Sequence, residues 1–332
     1  MVRWAILGTG FISETVVAAV QASGGSRVEL IVGRSSERCG RFQAKFGVPQ
    51  QSTDLDVALA NPDIDIVYIG LPSHLHRTVA EKAAASGKAV LCEKPLTTMI
   101  KDAEALIFYL RTKPTFFAEG LMYLAHPLYG RLLDILTDGR LGRVRSVNGY
   151  YAADISRFVN PLGKGTIFNL GCYPVSLLHL VVQTMCGDDA FGRRRMQAFG
   201  TQSDGNRSDG ICNISDAVIS VQFNNGVLAS LQSSDSYGLG HGFTILGDKG
   251  SLRFVTNPWL PAAGTNHVQW QPYDGSIEDI FIEDDHDAFY HQIKMVETAL
   301  ASGKKELDRP SPRHQDSLEI MSFLTQWEDA CR

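Results

Sequence analysis

Several features of specialised protein classes are missing from this sequence of 332 residues. Its six cysteines are scattered and none forms a C-x-x-C pair, which argues against a disulfide framework or a thiolate metal site. The first strand pattern follows Met1 without the basic segment, apolar core and cleavage site of a secretory signal. No apolar run is long enough to span a bilayer. We therefore predict a cytoplasmic protein with reduced thiols and no membrane partner.

The sequence also lacks an excess of positive charge. It has 31 Lys and Arg residues against 36 Asp and Glu residues, for a formal net charge of -5. A nucleic-acid binder needs a basic stripe that neutralises phosphates, so this balance argues against one. The length and the 44% hydrophobic content provide enough material for two cores. The composition indicates a two-domain globular protein with a small-molecule partner.

Residues 1–120 alternate short apolar runs with amphipathic stretches. The predicted strands are Trp4–Leu7, Val28–Val32, Ile66–Ile69, Ala89–Cys92 and Thr115–Ala118. The predicted helices cover about 12–22, 36–46, 74–86 and 100–111. Strands that alternate with helices of this length indicate βαβ crossovers and a parallel sheet. We predict an α/β Rossmann domain over residues 1–120.

The pattern changes in residues 121–332, where strand-like runs are separated by turn signals such as Asn225-Gly226 and Lys249-Gly250. The predicted strands are Val144–Ala152, Val218–Phe223, Val227–Gln232, Phe243–Leu246 and Ser251–Val255. The predicted helices are Pro127–Leu136, Leu170–Val182, Asp287–Ala301 and Arg313–Cys331. The polar segment Ser203–Gly210 is predicted to be a loop. We expect an α+β domain with an open, largely antiparallel sheet, whose last helix returns to the first domain.

A glycine-rich turn follows the first predicted strand. Residues Gly8–Ser13 read GTGFIS, which matches G-x-G-x-x-G except that Ser13 replaces the last glycine. The first glycine allows a tight turn, and the second allows the backbone to approach a pyrophosphate at a helix N-terminus. Position after a strand and before an amphipathic helix favours a dinucleotide site over an ordinary turn. The predicted contacts are Gly8, Thr9, Gly10, Phe11 and Ile12.

The end of the second predicted strand indicates which dinucleotide binds. An NAD site usually carries an acidic residue there for the ribose hydroxyls, but this strand is followed by Arg34 and Ser35, with Arg38 close behind. A guanidinium binds a 2'-phosphate through paired hydrogen bonds, and a serine hydroxyl adds a donor. We therefore predict NADP, with NAD as the alternative cofactor. A solvated arginine at a helix start is the competing interpretation of Arg34.

Two further segments follow predicted strands at the carboxyl edge of the sheet, where ligands bind in such folds. They are Gly70–His76, which reads GLPSHLH, and Cys92–Leu96, which reads CEKPL. With the glycine turn, these segments resemble the glycine loop, P-[NS]-x-x-H segment and E-K-P tripeptide of the Gfo/Idh/MocA family of glucose-fructose oxidoreductases and inositol dehydrogenases. Residues 119–127 resemble the family's link between domains, and residues 169–174 resemble its D-x-G-x-[YH] helix start.

The resemblance implies that substrate is held over the nicotinamide between a Rossmann domain and an α+β domain. It places Lys94 against both cofactor and substrate, with Glu93 nearby and Pro95 often in a cis turn. The other cofactor-side positions that it implies are Leu71, Pro72, His74 and His76. A lysine ammonium beside a reacting carbonyl stabilises the alkoxide that forms as hydride arrives. An ordinary charged turn is the alternative interpretation of Glu93 and Lys94.

The resemblance also assigns Tyr173 as the group that donates the proton in reduction or accepts it in oxidation. A neighbouring cation, which Lys94 supplies in this hypothesis, favours the phenolate. The alternative is a core tyrosine with a satisfied hydroxyl. Asn169 stands where the family usually has aspartate, and its amide still hydrogen-bonds a substrate hydroxyl but cannot titrate. Leu124 stands where many members have an arginine near the cofactor.

No metal site is predicted from the histidines. His74 and His76 lie two residues apart, a spacing that does not put them on one helical face. His286 and His291 lie near several aspartates, but acidic residues before a helix are better explained as caps and dipole partners. His179 is predicted either to line the active site or to lie in the core.

The function predicted from these features is NAD(P)-dependent hydride transfer between nicotinamide and a sugar, inositol or related polyol or keto-sugar. The catalytic residues of this hypothesis are Lys94, Tyr173 and Asn169, and Asp154, Arg157 and His241 are candidates to hold substrate hydroxyls. Two alternatives remain open: a catalytically silent NADP-binding sensor, and chemistry on a nucleotide-sugar or glycoside. Because family members pair through the open sheet, the resemblance also implies a homodimer or homotetramer.

Overall fold

The computed structural model describes residues 1–202 and 212–332. The loop predicted at Ser203–Gly210 lies outside the described residues. The chain forms two units. The first comprises Met1–Ala125 and Ala288–Leu318, and the second comprises His126–Asp287 and Glu319–Arg332. Residues 121–125 and 288–318 therefore belong to the first unit, although the sequence division at 120/121 assigns them to the second domain.

The first unit contains a parallel sheet of six strands in the order β3-β2-β1-β4-β5-β6. The strands are β1 (Val2–Leu7), β2 (Ser26–Val32), β3 (Gln50–Ser52), β4 (Ile66–Ile69), β5 (Ala89–Glu93) and β6 (Phe117–Gly120). The helices are α1 (Phe11–Ala22), α2 (Ser36–Phe46), α3 (Leu55–Ala60), α4 (His76–Ala85), α5 (Ile100–Arg111) and, from the later segment, α9 (Ala288–Ala301). This order confirms the predicted Rossmann domain, with its strand-order reversal between β1 and β4.

The segment Ala288–Leu318 packs against the rest of the first unit through an apolar core. Val16 and Val20 of α1 are fully buried, and they share one cluster of buried side chains with Ile293 and Val296 of α9. Burying an aliphatic side chain of this size stabilises the fold by about 1.5–3 kcal/mol. The packing of α9 on α1 explains why residues 288–318 belong to the first unit.

The second unit is built on a sheet of eight strands in the order β14-β13-β12-β11-β7-β10-β9-β8. The strands are β7 (Val144–Ala153), β8 (Arg194–Gln202), β9 (Ile214–Phe223), β10 (Leu228–Ser234), β11 (Leu239–Gly247), β12 (Gly250–Phe254), β13 (Gly264–Pro272) and β14 (Glu278–Asp284). Its helices are α6 (Pro127–Thr137), α7 (Thr166–Asn169) and α8 (Cys172–Cys186), and α10 (His314–Ala330) runs from the first unit's residues into the second's. Strands β7 and β10 pair in parallel and the other neighbours are antiparallel, which confirms the largely antiparallel sheet.

Four strands were not predicted from the sequence: β3, β8, β13 and β14. Three of them, β3, β8 and β14, lie at sheet edges. Edge strands carry polar and charged side chains, so the apolar alternation that marks a strand is weak in them. The second half of β8 is exposed, and β14 reads EDIFIED. Among the described residues no helix has the length and apolarity needed to cross a membrane.

Candidate active site

The glycine turn between β1 and α1 has the geometry that a pyrophosphate requires. Gly8 has a φ of +117°, and a Cβ at this position would clash with the carbonyl oxygen of Gly70. A Cβ on Gly10 would meet no atom within 4 Å, and Gly10 caps α1 without a side-chain hydrogen bond. The start of α1 is therefore open to a ligand, and backbone N–H groups at a helix start bind phosphate oxygens. These residues fit a dinucleotide.

Ser13 explains how this turn works without a third glycine. Its side chain is fully buried, and a Cβ on Gly70 would lie 2.6 Å from Ser13 Oγ. The end of β4 and the first turn of α1 thus approach closely, and only small residues fit at the two positions. The other predicted contacts of the turn, Phe11 and Ile12, begin α1, and the Phe11 ring is 83% exposed.

The residues predicted to select the cofactor lie at the end of β2: Arg34 and Ser35 stand between β2 and α2, and Arg38 is in the first turn of α2. Arg34 and Arg38 are exposed, and Ser35 is the N-cap of α2, with its Oγ accepting a hydrogen bond from the backbone N–H of Arg38 at 3.3 Å. Two exposed arginines thus lie at the start of a helix, where the helix dipole also favours an anion. The arrangement fits a phosphate ester at the end of β2.

His76 ties together the loops that follow β4 and β5. Its Nδ1 lies 3.0 Å from the carbonyl oxygen of Pro95, and its Nε2 lies 2.9 Å from that of Leu71. The ring is 1% exposed, and burial lowers the pKa of His76. Leu71 and Pro72 are partly buried and His74 is exposed. The His76 side chain therefore orders both loops, while its role toward the cofactor remains a prediction.

Glu93 is the last residue of β5, and Lys94 follows it. The Glu93 carboxylate is buried and accepts hydrogen bonds from Tyr68 Oη at 2.8 Å and from the backbone N–H of Lys94 at 3.3 Å. Burial raises the pKa of Glu93, while the Lys94 charge and the Tyr68 hydroxyl act in the opposite direction. Lys94 is partly exposed, and the Lys94–Pro95 peptide bond is cis, as the resemblance implies. Glu93 is thus a buried support of the turn that carries Lys94.

Tyr173 lies in the first turn of α8, in the second unit, and is 6% exposed. Its ring meets Tyr151 of β7 edge to face, with centroids 5.3 Å apart, and lies 6.3 Å from Trp259. The Trp259 Nε1–H donates to the carbonyl oxygen of Tyr150 at 3.1 Å, which fixes the indole. Edge-to-face packing restricts ring motion, so this aromatic cluster orients the Tyr173 phenol.

Tyr151 and Trp259 were not predicted from the sequence to pack against Tyr173. In the structure Val147, Gly149 and Tyr151 of β7 are buried on one face of the sheet, but a strand pattern in the sequence does not identify the partner of an inward-facing ring. His241 of β11 is the register partner of Tyr151, so it projects from the same face of the sheet. The other candidates for substrate hydroxyls, Asp154 and Arg157, are exposed just after β7.

The two positions where the sequence departs from the family pattern have different settings. Asn169 is partly buried at the end of α7, and its carbonyl oxygen accepts a hydrogen bond from Cys172 Sγ at 3.4 Å. It therefore lies one turn before Tyr173 in the same unit. Leu124 is 1% exposed in the first unit. An aliphatic side chain is stabilised at such a position, whereas a charged one would need a partner.

His179 and His286 contact acidic side chains. His179 is 2% exposed, and its Nε2 lies 2.8 Å from Glu319 Oε2, which places it in the interior of the second unit between α8 and α10. Asp284 Oδ1 accepts the backbone N–H of His286 at 2.9 Å, as expected for an acidic residue that caps a turn.

Comparison with known proteins identifies both units. Residues 2–120 match the model of an oxidoreductase family with an NAD-binding Rossmann fold, and residues 129–253 match the GFO/IDH/MocA C-terminal domain. The chain is 32% identical over 267 residues to an uncharacterized oxidoreductase of Rhizobium meliloti, covering 79% of this chain and 76% of the relative. It is 27% identical to the dTDP-3,4-didehydro-2,6-dideoxy-alpha-D-glucose 3-reductase of Actinomadura kijaniata, covering 97% and 93%.

A solved structure supports the same assignment. A lysine-to-alanine variant of a 3-ketoreductase from Actinomadura kijaniata, in complex with TDP-benzene and NADP, is similar with a TM-score of 0.82 and 25% identity, covering 99% of this chain and 97% of that one. Two matched domain models, the glycine turn after β1 and the Glu93-Lys94-Pro95 turn after β5 agree with this likeness. The chain belongs to the Gfo/Idh/MocA family of NAD(P)-dependent oxidoreductases.

Proposed function

We propose that the chain interconverts a sugar or polyol hydroxyl and the corresponding ketone, with NADP as cofactor. The observation that carries this proposal is the grouping of three segments at one sheet edge. Strands β1, β4 and β5 are neighbours, so the glycine turn, Leu71-Pro72 and Lys94 all follow the carboxyl ends of adjacent parallel strands. That edge, beside the strand-order reversal, is where ligands bind in doubly wound folds.

When bound, the nicotinamide supplies hydride exchange at its C4 position. In reduction the substrate carbonyl carbon gains a hydride, its oxygen gains negative charge, and the Lys94 ammonium stabilises that charge. Tyr173 then gives its hydroxyl proton to the oxygen, and in oxidation it takes the proton back. Asn169 hydrogen-bonds a neighbouring substrate hydroxyl. Lys94 and Tyr173 belong to different units, and their action on one substrate is part of the proposal.

The relatives support a keto-sugar as substrate. A 27%-identical relative is named as a reductase of a dTDP-linked didehydro sugar, and a 34%-identical relative from Haloferax volcanii is named as a D-xylose 1-dehydrogenase that uses NADP. Solved structures of the 3-ketoreductase include variants in which a lysine or a tyrosine is replaced, the residue types that we propose at Lys94 and Tyr173. We infer that free sugars and nucleotide-linked sugars are the two substrate groups to test.

NADP is preferred to NAD in this proposal because of the charges after β2. Arg34 and Arg38 are cations at the N-terminus of α2, and no acidic residue stands directly after β2. The first carboxylate after β2, that of Glu37, pairs with Arg41 at 3.3 Å. Paired hydrogen bonds from a guanidinium to a phosphate are among the strongest in proteins.

A homo-oligomer formed through the open sheet of the second unit is also part of the proposal. Phe199 of β8 and Val218 of β9 are register partners, and they are 77% and 39% exposed. Further along the same row of paired strands, Tyr150 of β7 is 45% exposed. Exposed apolar side chains grouped on one sheet face favour pairing with a second copy.

A turnover assay tests the main proposal. Purified protein is incubated with NADPH and a panel of keto-sugars, free and nucleotide-linked, and absorbance of the reduced cofactor is followed. We expect oxidation of NADPH with at least one compound, and a loss of about 10²–10³-fold in kcat for Lys94→Ala. Lys101→Ala, at an exposed lysine of α5, is the matched control and should leave the rate unchanged. NADPH binding without turnover on any compound would favour the silent sensor, which the replacement of the family's aspartate by Asn169 permits.

A further inference from the structure

A second buried carboxyl group lies close to Lys94. Glu119 of β6 is 3% exposed, and its register partner on β5 is Cys92, two residues before Lys94. One of its oxygens, Oε2, is buried without a hydrogen-bond partner among the described residues. The carboxyl receives hydrogen bonds from the Ser317 side chain and from the backbone at Leu96. The proposed mechanism does not use this group.

The groups that face Glu119 come from two elements and the turn between β5 and α5. Strand β5 provides the Cys92 thiol and the Glu93 carboxylate. The turn after β5 provides the Lys94 ammonium and the Leu96 backbone, and α10 provides the Ser317 hydroxyl. On β4, Tyr68 donates a hydrogen bond to Glu93. Two carboxyl groups thus share one lysine.

The balance of these groups makes Glu119 titrate near neutral pH. Burial raises the pKa of Glu119 to about 7, and the Glu93 charge adds to the rise, while Ser317, Leu96 and Lys94 act against it. Burial and the Glu119 charge also raise the pKa of the Cys92 thiol, so the thiol stays protonated in this range. Deprotonation of Glu119 near pH 7 therefore adds one negative charge to this buried group.

We propose that Glu119 is a positioning residue for Lys94, and that its protonated form preserves the positive potential that the Lys94 ammonium presents to the substrate oxygen. A second carboxylate behind the lysine cancels part of the positive potential that stabilises the alkoxide, and charges interact strongly in a water-poor interior. This inference rests on the role of Lys94 in the proposed function. It adds that keto-sugar reduction is faster when Glu119 is neutral.

The pH profile of reduction provides the first test. We expect kcat of the wild-type protein to fall as pH rises through about 7, and Glu119→Gln, which is neutral at every pH, to lack this fall. Ser317→Ala removes a hydrogen bond that favours the charged form, so the midpoint should move up by about one pH unit. Glu104→Gln, at an exposed carboxyl of α5, is the control and should keep the wild-type profile. If Glu119→Gln falls through the same midpoint as wild type, the inference is wrong.

Unfolding by urea provides a second test that needs no substrate. A carboxyl whose pKa is raised in the folded state stabilises the protein at low pH and loses that contribution as pH rises through the folded value. The free energy of unfolding of wild type relative to Glu119→Gln should therefore decrease between about pH 4.5 and pH 7 and then level off. A constant difference would overturn the inference.

The two tests separate this inference from the proposed function. If no keto-sugar is turned over, the proposed function is contradicted, regardless of the result of unfolding by urea. Turnover with an unaltered pH profile in Glu119→Gln contradicts only the role of Glu119. If Glu119→Gln does not fold, the pH profile of Ser317→Ala replaces it as the test. The midpoint of that profile should then lie above the wild-type midpoint, and an unchanged midpoint would contradict the inference.

Discussion

The ring of Tyr151 packs against the ring of Tyr173 at an angle of 82°, with the ring centroids 5.3 Å apart. Burial raises the pKa of Tyr151 to about 12, so its hydroxyl stays protonated throughout the range in which such enzymes work. Tyr151 therefore does not serve as a base at neutral pH. We infer that Tyr151 supports the ring of Tyr173, which opens α8 and carries the proposed proton transfer.

This division of roles predicts different effects of removing each hydroxyl. Tyr173→Phe should lower kcat for keto-sugar reduction by about 10²–10⁴-fold, the usual contribution of general acid–base catalysis. Tyr151→Phe keeps the edge-to-face ring contact and should leave kcat within about tenfold of wild type. Steady-state kinetics with NADPH measure both, and thermal unfolding checks that both variants fold. Equal losses in the two variants would contradict the assignment of Tyr173.

Arg34 is expected to distinguish NADPH from NADH. Arg34→Ala should raise KM for NADPH by about 10–100-fold, because it removes a charged hydrogen bond to the 2'-phosphate, and should change KM for NADH little. Arg41→Ala, at an exposed arginine of α2 that pairs with Glu37, is the matched control. KM values for both cofactors are measured with one substrate. An equal rise in the KM values for NADPH and NADH would mean that Arg34 does not bind the 2'-phosphate.

Because the His76 ring is buried, we expect the free energy of unfolding to fall in mild acid. Because burial lowers the pKa of His76 in the folded state, the unfolded chain takes up a proton more readily, and stability falls as pH drops below about 6.5. The free energy of unfolding of wild type relative to His76→Asn should thus be constant above pH 7 and decrease below about 6.5. Urea unfolding between pH 5 and pH 8 measures the difference. An increase in acid would mean that a charged ring donates to both Leu71 and Pro95.

The open sheet predicts a change of oligomeric state on a single substitution. Phe199→Glu places a charge on the exposed apolar row that includes Val218 and Tyr150, and desolvating that charge at an interface is costly. We expect wild type to be a dimer or tetramer and the variant to shift toward monomer, as measured by size-exclusion chromatography with light scattering. Phe108→Glu, at a 73% exposed phenylalanine of α5, is the control and should not change the mass. A monomeric wild-type protein at micromolar concentration would contradict the proposal.

Local sequence patterns were enough to predict the Rossmann domain and its cofactor turn. The strand Ile66–Ile69 was predicted with its observed bounds, and Gly8 and Gly10 were placed correctly between β1 and α1. These features depend on neighbouring residues: apolar runs mark buried strands, and a left-handed φ at Gly8 requires glycine. The family motifs then located Lys94 and Tyr173 at the starts of a turn and a helix.

Only the tertiary structure revealed the partners of these groups. Tyr151 packs on Tyr173, and Ser317 bonds Glu119, although each pair is far apart in the chain. The packing of α9 on α1 also depends on residues that are far apart in the chain. The same is true of the polar edge strands β8 and β14, which pair only with strands of the assembled sheet. Contacts between distant segments depend on how whole surfaces pack, and no window of sequence contains that information. The sequence by itself therefore determined the fold class and predicted the reacting groups, and packing decided what surrounds them.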